Sequence, residues 1–291
     1  MIDHPAPGAG EAARQSRELR VDHIDSGLNI VYSQSMAALT KPAAIEVFHL
    51  ALLQVFPQHL PAANYAVKGG ANLRLFLGSV RRSEDIDFNF VGRANWSLEP
   101  RMDAVLKSPA LAVLLAQHHL RILSVDPSKT TSTTGRWKFQ MSGPGVQFSS
   151  KIEFSMRLED RPLYEMSSVS PQLAAAAAMR PALANHYGAT GAVEQKIAAL
   201  ALRGETQARD IFDLDFLFTR YPTETAAARP NAYELDLARL RVFEVMYNEY
   251  RELAVTYLDP AFVAMYQSQA EWERMALHVA TTIDAMRARI T

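Results

Sequence analysis

The sequence predicts an α+β fold, with a front half in which helices flank a sheet and a back half built of helices. Three patterns carry that expectation. Period-two alternation of polar and apolar residues recurs between positions 65 and 156, strand signals largely stop after Arg157, and apolar residues at helical spacing dominate from there to the end. The expected organisation is a loose arm over 1–27, an α+β domain over 28–165 and a helical domain over 166–291.

Each element follows from its residues. The first 27 positions are rich in Gly, Pro, Ala and Ser and show no sustained period. Pro42 opens a helix whose buried face is Ile45, Phe48, Leu52, Val55 and Phe56, with His49 in an otherwise apolar slot, running up to Pro57. Tyr65 to Lys68 reads as a strand closed by Gly69-Gly70, and Ala71 to Leu77 as a short helix. Asp85 to Val91 alternates as a half-buried strand. Further strands are expected at Leu120 to Val125, Arg136 to Met141 and Val146 to Met156, with Gly143-Pro144-Gly145 turning between the last two. Helices are expected at Gln172 to Met179, at Ala192 to Arg203 and Gln207 to Phe218 as a hairpin about Gly204, and as two or three long segments from Tyr233 to Arg289, broken near Asp259-Pro260. Phe243, Met246, Tyr247, Tyr250, Tyr257, Met265, Trp272 and Met275 have core spacing in that last stretch.

Composition bounds the chemistry. The 291 residues carry 30 Lys plus Arg against 31 Asp plus Glu, 48% are apolar, and there is no cysteine. Disulfides, thiolate metal sites and cysteine nucleophiles are thereby excluded. The opening residues hold no apolar run of signal-peptide length, and the most apolar window, 43–56, is interrupted by Glu46 and His49, so a cytoplasmic protein without a membrane segment is expected. Charge is uneven: from 110 to 157 six basic residues face two acidic ones, whereas from 231 to the end nine acidic residues face six basic ones. The first excess is compatible with an RNA face. His118-His119, adjacent and pointing apart, is not read as a metal site.

The stretch from Lys68 to Phe88 carries the chemistry. Gly69 and Gly70, between a strand and a helix, let the backbone approach a ligand, and free amides there suit a phosphate. Asp85 and Asp87 stand one residue apart on a predicted strand, so both leave the same face. Paired carboxylates repel unless a cation lies between them, and a hard divalent ion fits. Glu153 lies on a later strand with Lys151 and Ser155 on its face; beside the Asp85 strand it would complete a three-carboxylate site for phosphoryl or nucleotidyl transfer. Lys196 and Arg203 are about two helical turns apart, and Asp210 and Asp213 about one.

These residues resemble the polymerase-beta-like nucleotidyltransferases, and specifically the AbiEii/AbiGii toxin group. Lys68-Gly69-Gly70, Leu73-Arg74, Ser83, Asp85, Asp87 and Phe88 match the group's first motif; Lys151-Ile152-Glu153 followed by Arg157 is similar to its next strand; Lys196, Arg203, Arg209, Asp210 and Asp213 match its later lysine, arginine and Arg-Asp-x-x-Asp-Leu run. The resemblance covers roughly residues 40–220, and Ala71 stands where the group commonly has Thr or Ser. It implies a mixed sheet with helices, then a helical C-terminal domain. It also implies transfer of a nucleoside monophosphate from a nucleoside triphosphate to an acceptor hydroxyl, with Mg²⁺, or Mn²⁺ as an alternative, held by Asp85, Asp87 and Glu153. On that reading Asp85, Asp87, Glu153, Lys196 and Asp210 are catalytic. Lys68, Gly69, Gly70, Arg74, Ser83, Lys196 and Arg203 then bind the nucleotide. A type IV toxin, a separately encoded antitoxin and a tRNA 3′ end as acceptor are the further implications. The rival expectations are transfer to a small-molecule or protein hydroxyl, and a catalytically silent partner-binding protein. Glycosyltransferases also use an Asp-x-Asp pair, but the Gly-Gly and Lys-Arg-Asp runs do not belong to them.

Overall fold

A computed structural model describes residues 39–91, 97–157 and 163–290. The arm expected over 1–27 lies outside the described residues. In chain order the elements are α1 (Lys41–His59), β1 (Tyr65–Lys68), α2 (Gly69–Leu75), β2 (Ile86–Phe90), α3 (Glu99–Leu106), α4 (Pro109–Ala116), β3 (Arg121–Thr131), β4 (Thr134–Gly143) and β5 (Val146–Ser155). They continue with β6 (Tyr164–Ser168), α5 (Pro171–Ala176), β7 (Leu183–Tyr187), α6 (Ala189–Leu202), α7 (Ala208–Arg220), α8 (Pro222–Ala227), α9 (Ala232–Arg241), α10 (Tyr247–Leu253), α11 (Val263–Tyr266) and α12 (Gln269–Arg287). The sheet is mixed, in the order β3-β4-β5-β2-β1-β7-β6. Strand β2 runs antiparallel to β1 and parallel to β5, and β1 is parallel to β7. The α+β expectation therefore holds.

Helix α1 begins where Thr40 Oγ1 accepts from the amide of Ala43 and buries the anticipated face, Ile45, Phe48, Leu52, Val55 and Phe56. It continues past Pro57 to His59: the proline forfeits its own bond to the carbonyl four residues back, but Leu60 N still donates to Phe56 O at 2.6 Å and closes the last turn. Beneath the sheet, Phe88 and Phe154 are register partners on β2 and β5 with ring centroids 4.7 Å apart, and Phe56 lies 5.2 Å from Phe88. This alternation fixes the face of everything between them: with Phe88 and Phe154 in the core, Asp87 and Glu153, also register partners, leave the opposite face.

Four expectations are corrected. Strand signals do not end at Arg157, since β6 and β7 extend the sheet to Tyr187; the short sequence Leu183–Tyr187 hides its strand because buried Asn185 and His186 interrupt the apolar pattern. The passage from sheet to helices thus falls near Gly188 rather than at 165/166. Helices α3 and α4 were not anticipated; a proline lies in the first turn of each, and both pack on α1. Of the residues with core spacing near the end, Tyr250, Trp272 and Met275 are buried, with Tyr250 stacked on Trp272 at 4.6 Å, but Phe243, Met246 and Met265 are exposed. The long helices expected there are fragmented into α9 to α12 with two 3₁₀ turns, Val255–Tyr257 and Pro260–Phe262.

Two apolar clusters divide the work. One lies between the sheet and α1; the other gathers α6, α7, α9, α10 and α12. Helix α2 and the turn after it join them, with Ala71 and Leu75 in the first and Leu73 and Leu77 in the second. The Gly69-Gly70 turn is therefore held from both sides. The loop before β2 is fixed as well: Arg82 N donates to Tyr257 O at 2.8 Å and Asp259 N to Val80 O at 2.9 Å.

Candidate active site

The site opens on the polar face of β1, β2 and β5. Lys68 on β1 is the register partner of Asp87, and Asp87 that of Glu153, so one row across three strands carries Lys68, Asp87 and Glu153. On β4 the partner of Glu153 is Arg136, which extends the row by another strand. Asp85 stands immediately before β2. Its Oδ2 lies 3.2 Å from Lys151 Nζ, and Glu153 Oε2 lies 2.6 Å from Arg136 Nη2. Burial pushes the Asp85 carboxyl above its usual range, Lys151 offsets this and Asp87 adds to it. Burial likewise raises Asp87, with Lys151 and Lys68 opposing and Glu153 reinforcing. A run of carboxylates in which Glu153 raises the proton affinity of Asp87, and Asp87 that of Asp85, is a donor set suited to a divalent cation.

Above them lies a cradle that only glycine fits. Gly69 has φ +68°, and a Cβ there would stand 2.9 Å from Asp87 Oδ2. A Cβ on Gly70 would stand 2.8 Å from Arg81 Nη2 and 2.9 Å from Ser83 Oγ. Ser83 Oγ donates to Asp85 O at 2.7 Å, tying the cradle's wall to the first carboxylate. The turn, the wall and the acidic pair therefore form one unit.

The remaining wall comes from α6 and α7. Lys196 Nζ is buried between Asp210 Oδ1, 3.0 Å away, and Asp213 Oδ2, 2.6 Å away. Arg81 grips Asp213 with two bonds, Nε to Oδ1 at 2.9 Å and Nη2 to Oδ2 at 2.7 Å. Burial alone would raise the Asp213 carboxyl, but Arg81 and Lys196 hold it at about 2. Arg203 Nε lies 3.2 Å from Asp210 Oδ2, an oxygen with no aligned hydrogen bond. Arg203 sits just past the end of α6 with extended φ and ψ, not on its face, yet the expected meeting with Lys196 still occurs through Asp210.

These parts line one cavity of about 340 Å³. Its lining holds seven cationic side chains, Lys68, Arg81, Arg136, Lys151, Lys196, Arg203 and Arg209, against the three carboxylates of Asp85, Asp87 and Glu153. Counting Asp210 and Asp213 behind Arg81, Lys196 and Arg203, seven cations face five carboxylates, and the remaining excess suits a polyanion of a triphosphate's scale. Of the residues singled out from sequence, Lys68, Gly69, Gly70, Ser83, Asp85, Asp87, Glu153, Lys196 and Arg203 line the cavity. Asp210 stands behind Lys196.

Arg74 is the correction. Its guanidinium bonds Glu46 on α1, donates to Ser79 O at 3.0 Å and reaches Asp259 Oδ2 at 3.4 Å, and it does not line the cavity. The helical turn after Gly70 carries it to the side facing α1. The carboxylate trio also differs from expectation: no three acidic or histidine side chains among the described residues converge on one point, because Glu153 is held by Arg136. Sequence reasoning missed Arg81 and Arg136. Arg136 could have been placed by alternation with the buried Trp137 and Phe139; Arg81 carries no such signal, since its partner Asp213 is 132 residues away.

The comparisons with known proteins agree with the fold. The family model described as "Nucleotidyl transferase AbiEii toxin, Type IV TA system" matches residues 51–288. Among solved structures, JHP933 from Helicobacter pylori superposes with TM-score 0.53 at 16% identity, covering 87% of this chain and 94% of its own. A proposed nucleotidyltransferase from H. pylori superposes with TM-score 0.53 at 17% identity, covering 86% and 97%. No curated protein matches the chain.

Proposed function

The chain belongs to the AbiEii nucleotidyl transferase toxin family of type IV toxin–antitoxin systems, and from that premise we propose that it is a Mg²⁺-dependent enzyme that adds a nucleoside monophosphate to the 3′ end of a tRNA. Nucleotidyl transfer itself, a nucleotide substrate and an antitoxin partner follow from membership. The metal, the acceptor and the residue roles are our reading. One observation carries it: the Gly69-Gly70 cradle lies against the Asp85 and Asp87 pair within a cavity whose lining is rich in Lys and Arg.

Asp85 and Asp87 would hold the metal, and Mn²⁺ would fit the same oxygen donors. Mg²⁺ bound there would neutralise charge on the triphosphate and on the departing pyrophosphate. The chain's own residues do the rest. Backbone amides at Gly69 and Gly70, with Ser83, receive phosphate oxygens in a space that any Cβ would fill. Lys196, Arg203 and Arg209 supply positive charge on the α6–α7 wall, and Asp210 holds Lys196 in place. The acceptor hydroxyl oxygen bonds to the α-phosphorus as the bond to the bridging oxygen breaks, and pyrophosphate leaves on the far side. Glu153, released from Arg136, takes the hydroxyl proton.

No described helix is long and apolar enough to cross a membrane. We place the reaction in the cytoplasm, where tRNA and nucleoside triphosphates meet, with the antitoxin encoded separately.

The test is direct. The purified protein is incubated with each α-³²P nucleoside triphosphate, Mg²⁺ and total bacterial RNA, beside the Asp85→Ala/Asp87→Ala double variant. Label in a tRNA-sized band from the wild type alone is the expected result. Label in protein or a small molecule instead would reassign the acceptor, and nucleotide binding without any transfer would remove the RNA reading.

A further inference from the structure

A second cavity, of about 450 Å³, adjoins the first. The two share Asp85 and Lys151 and diverge from there. The first runs from Arg136 and Glu153 on β4 and β5 over β1 and α2 to the α6–α7 wall; the second lies further along β5 and β4 and reaches β3. Strand β2, which follows Asp85 and carries Asp87, lies between β1 with its glycine turn and β5 in the sheet.

Register explains why this second face is polar. Lys151, Lys138 and Asp126 form one row across β5, β4 and β3, and Ser149, Gln140 and Ser124 form the next. All six belong to the alternation that sends Trp137, Phe139, Ile152 and Phe154 into the core, so the row of Glu153 and Arg136 continues into them on the same face. Described parts of this face are exposed: Ser124, Asp126, Lys138, Gln140 and Ser149 are all in contact with solvent. Gln140 Nε2 donates to Ser149 Oγ at 2.8 Å, which orients the amide across the strands. At the rim, Glu84 is held by Lys41 at 2.8 Å.

In-line transfer requires the attacking hydroxyl and the departing pyrophosphate on opposite sides of the α-phosphorus. The glycine cradle and the α6–α7 cations lie on the β1 side of the acidic pair. The attacking hydroxyl therefore enters from the β5 side, where Glu153 and then the second cavity lie. We propose that this cavity over β3, β4 and β5 seats the terminal nucleoside of the RNA acceptor; the inference rests on the function proposed above. The volume suits one nucleoside. Carboxylate, amide and hydroxyl groups at Asp126, Gln140 and Ser124 present both donors and acceptors to a base edge. Glu84 suits a ribose hydroxyl, and Lys138 the phosphate on the 5′ side.

Two measurements test it. The first uses Asp126→Ala/Gln140→Ala, a pair of exposed positions, in the labelled transfer assay with a purified tRNA. The KM for tRNA should rise by about tenfold or more, as loss of two hydrogen-bonding groups implies, while the dissociation constant for the nucleoside triphosphate stays the same. A weaker nucleoside triphosphate with unchanged KM for tRNA would assign the cavity to the incoming base and overturn the proposal. The second uses an RNA hairpin ending in 3′ 4-thiouridine, photocrosslinked to the wild-type chain. Adducts within residues 121–151 support the proposal; adducts confined to α9–α12 overturn it. If the wild type binds nucleotide but labels no RNA, the function reading fails and takes this inference with it. Should RNA be labelled while crosslink and KM both point elsewhere, only this inference falls.

Discussion

Arg81 and Asp213 form a buried two-bond ion pair, 2.9 and 2.7 Å, across 132 residues of sequence. It joins the loop before β2 to α7, and with the packing of α2 on α6 it sets the acidic pair against the α6–α7 wall. Both partners lie out of solvent, with side chains 3% and 0% exposed. Removing one partner therefore leaves the other charge stranded rather than rehydrated. Asp213→Asn should cost about 3–5 kcal/mol, because Arg81 loses its counter-charge and Lys196 keeps only Asp210. Urea denaturation measures it, and an unchanged midpoint with an unchanged slope would show the pair to be dispensable.

Gly69→Ala and Gly70→Ala should abolish nucleotide binding through different routes. At position 69 the backbone lies at φ +68° and the new methyl meets Asp87 Oδ2 at 2.9 Å, so both the turn and the second carboxylate shift. At position 70 the φ is ordinary, but the methyl meets Arg81 Nη2 at 2.8 Å and occupies the space assigned to phosphate. Both should lose affinity; Gly69→Ala should lower stability the more, because it strains the backbone, whereas Gly70→Ala only presses on the Arg81 Nη2 bond to Asp213. Calorimetric titration with a nucleoside triphosphate, beside thermal melts, separates the two. Equal melting temperatures for both variants would contradict the strain argument.

Arg74→Ala should lower stability and leave the KM for the nucleoside triphosphate unchanged. Its guanidinium serves Glu46, the Ser79 carbonyl and Asp259, none of which lines the phosphate cavity. Hydrogen bonds to charged groups contribute about 1.5–3 kcal/mol, and Arg82 remains beside Glu46 and Asp259 to limit the damage. A raised KM at full stability would return Arg74 to the nucleotide site.

What was legible in the sequence follows from distance along the chain. Alternation set Asp87 against Phe88 and Glu153 against Phe154, and register then brought the two carboxylates side by side, as the strand reading anticipated. The glycine turn was legible because only a close approach needs two glycines there. The buried ion network was not. Arg81 and Lys196 look like surface cations until α7 brings Asp213 and Asp210 to them, and Arg74 looks like a cavity residue until α2 turns it toward Glu46. Strand β7 escaped because its buried polar groups are satisfied by tertiary partners: Asn185 Nδ2 donates to Ala62 O at 2.9 Å, and His186 Nε2 is 2.7 Å from Ser167 Oγ. Local pattern cannot register such partners.

Lys151→Ala should tighten binding of Mn²⁺, measured by electron paramagnetic resonance in the absence of nucleotide. The Lys151 ammonium lies 3.2 Å from Asp85 Oδ2 and so competes for the oxygen that a metal would take. It also offsets the upward pressure of burial on the Asp85 proton affinity, so the gain should shrink as pH falls and Asp85 protonates more readily in the variant. A several-fold lower dissociation constant at pH 8 that converges on wild type in acid is the expected signature. Weaker binding at every pH would mean that the lysine helps to build the site.

His49 gives the chain a measurable sensitivity to mild acid. It lies in the apolar slot of α1, 2% exposed, with Nε2 lacking a hydrogen-bond partner, and burial drives its pKa from 6.5 down to about 3. Between those values the unfolded chain binds a proton that the folded chain refuses, so stability falls as pH drops below 6.5. At about 1.36 kcal/mol per unit, the loss from this residue at pH 5 is roughly 2 kcal/mol. Asp213 acts in a separate window: its folded pKa of about 2 lies below the unfolded value, so its contribution is complete near neutrality and drains only as pH falls from about 4 through 2. Asp85 and Asp87, whose raised values favour the protonated fold, shift stability in the opposite sense, but they do so equally in any chain that keeps them. Comparing wild type with His49→Leu by urea denaturation at pH 7.5 and pH 5 cancels all three carboxylates and isolates the histidine. The gap between the two chains should move by roughly 2 kcal/mol in favour of the leucine variant as pH is lowered. A gap that stays constant would mean that His49 is protonated inside the folded core, and that some polar group reaches its Nε2 there.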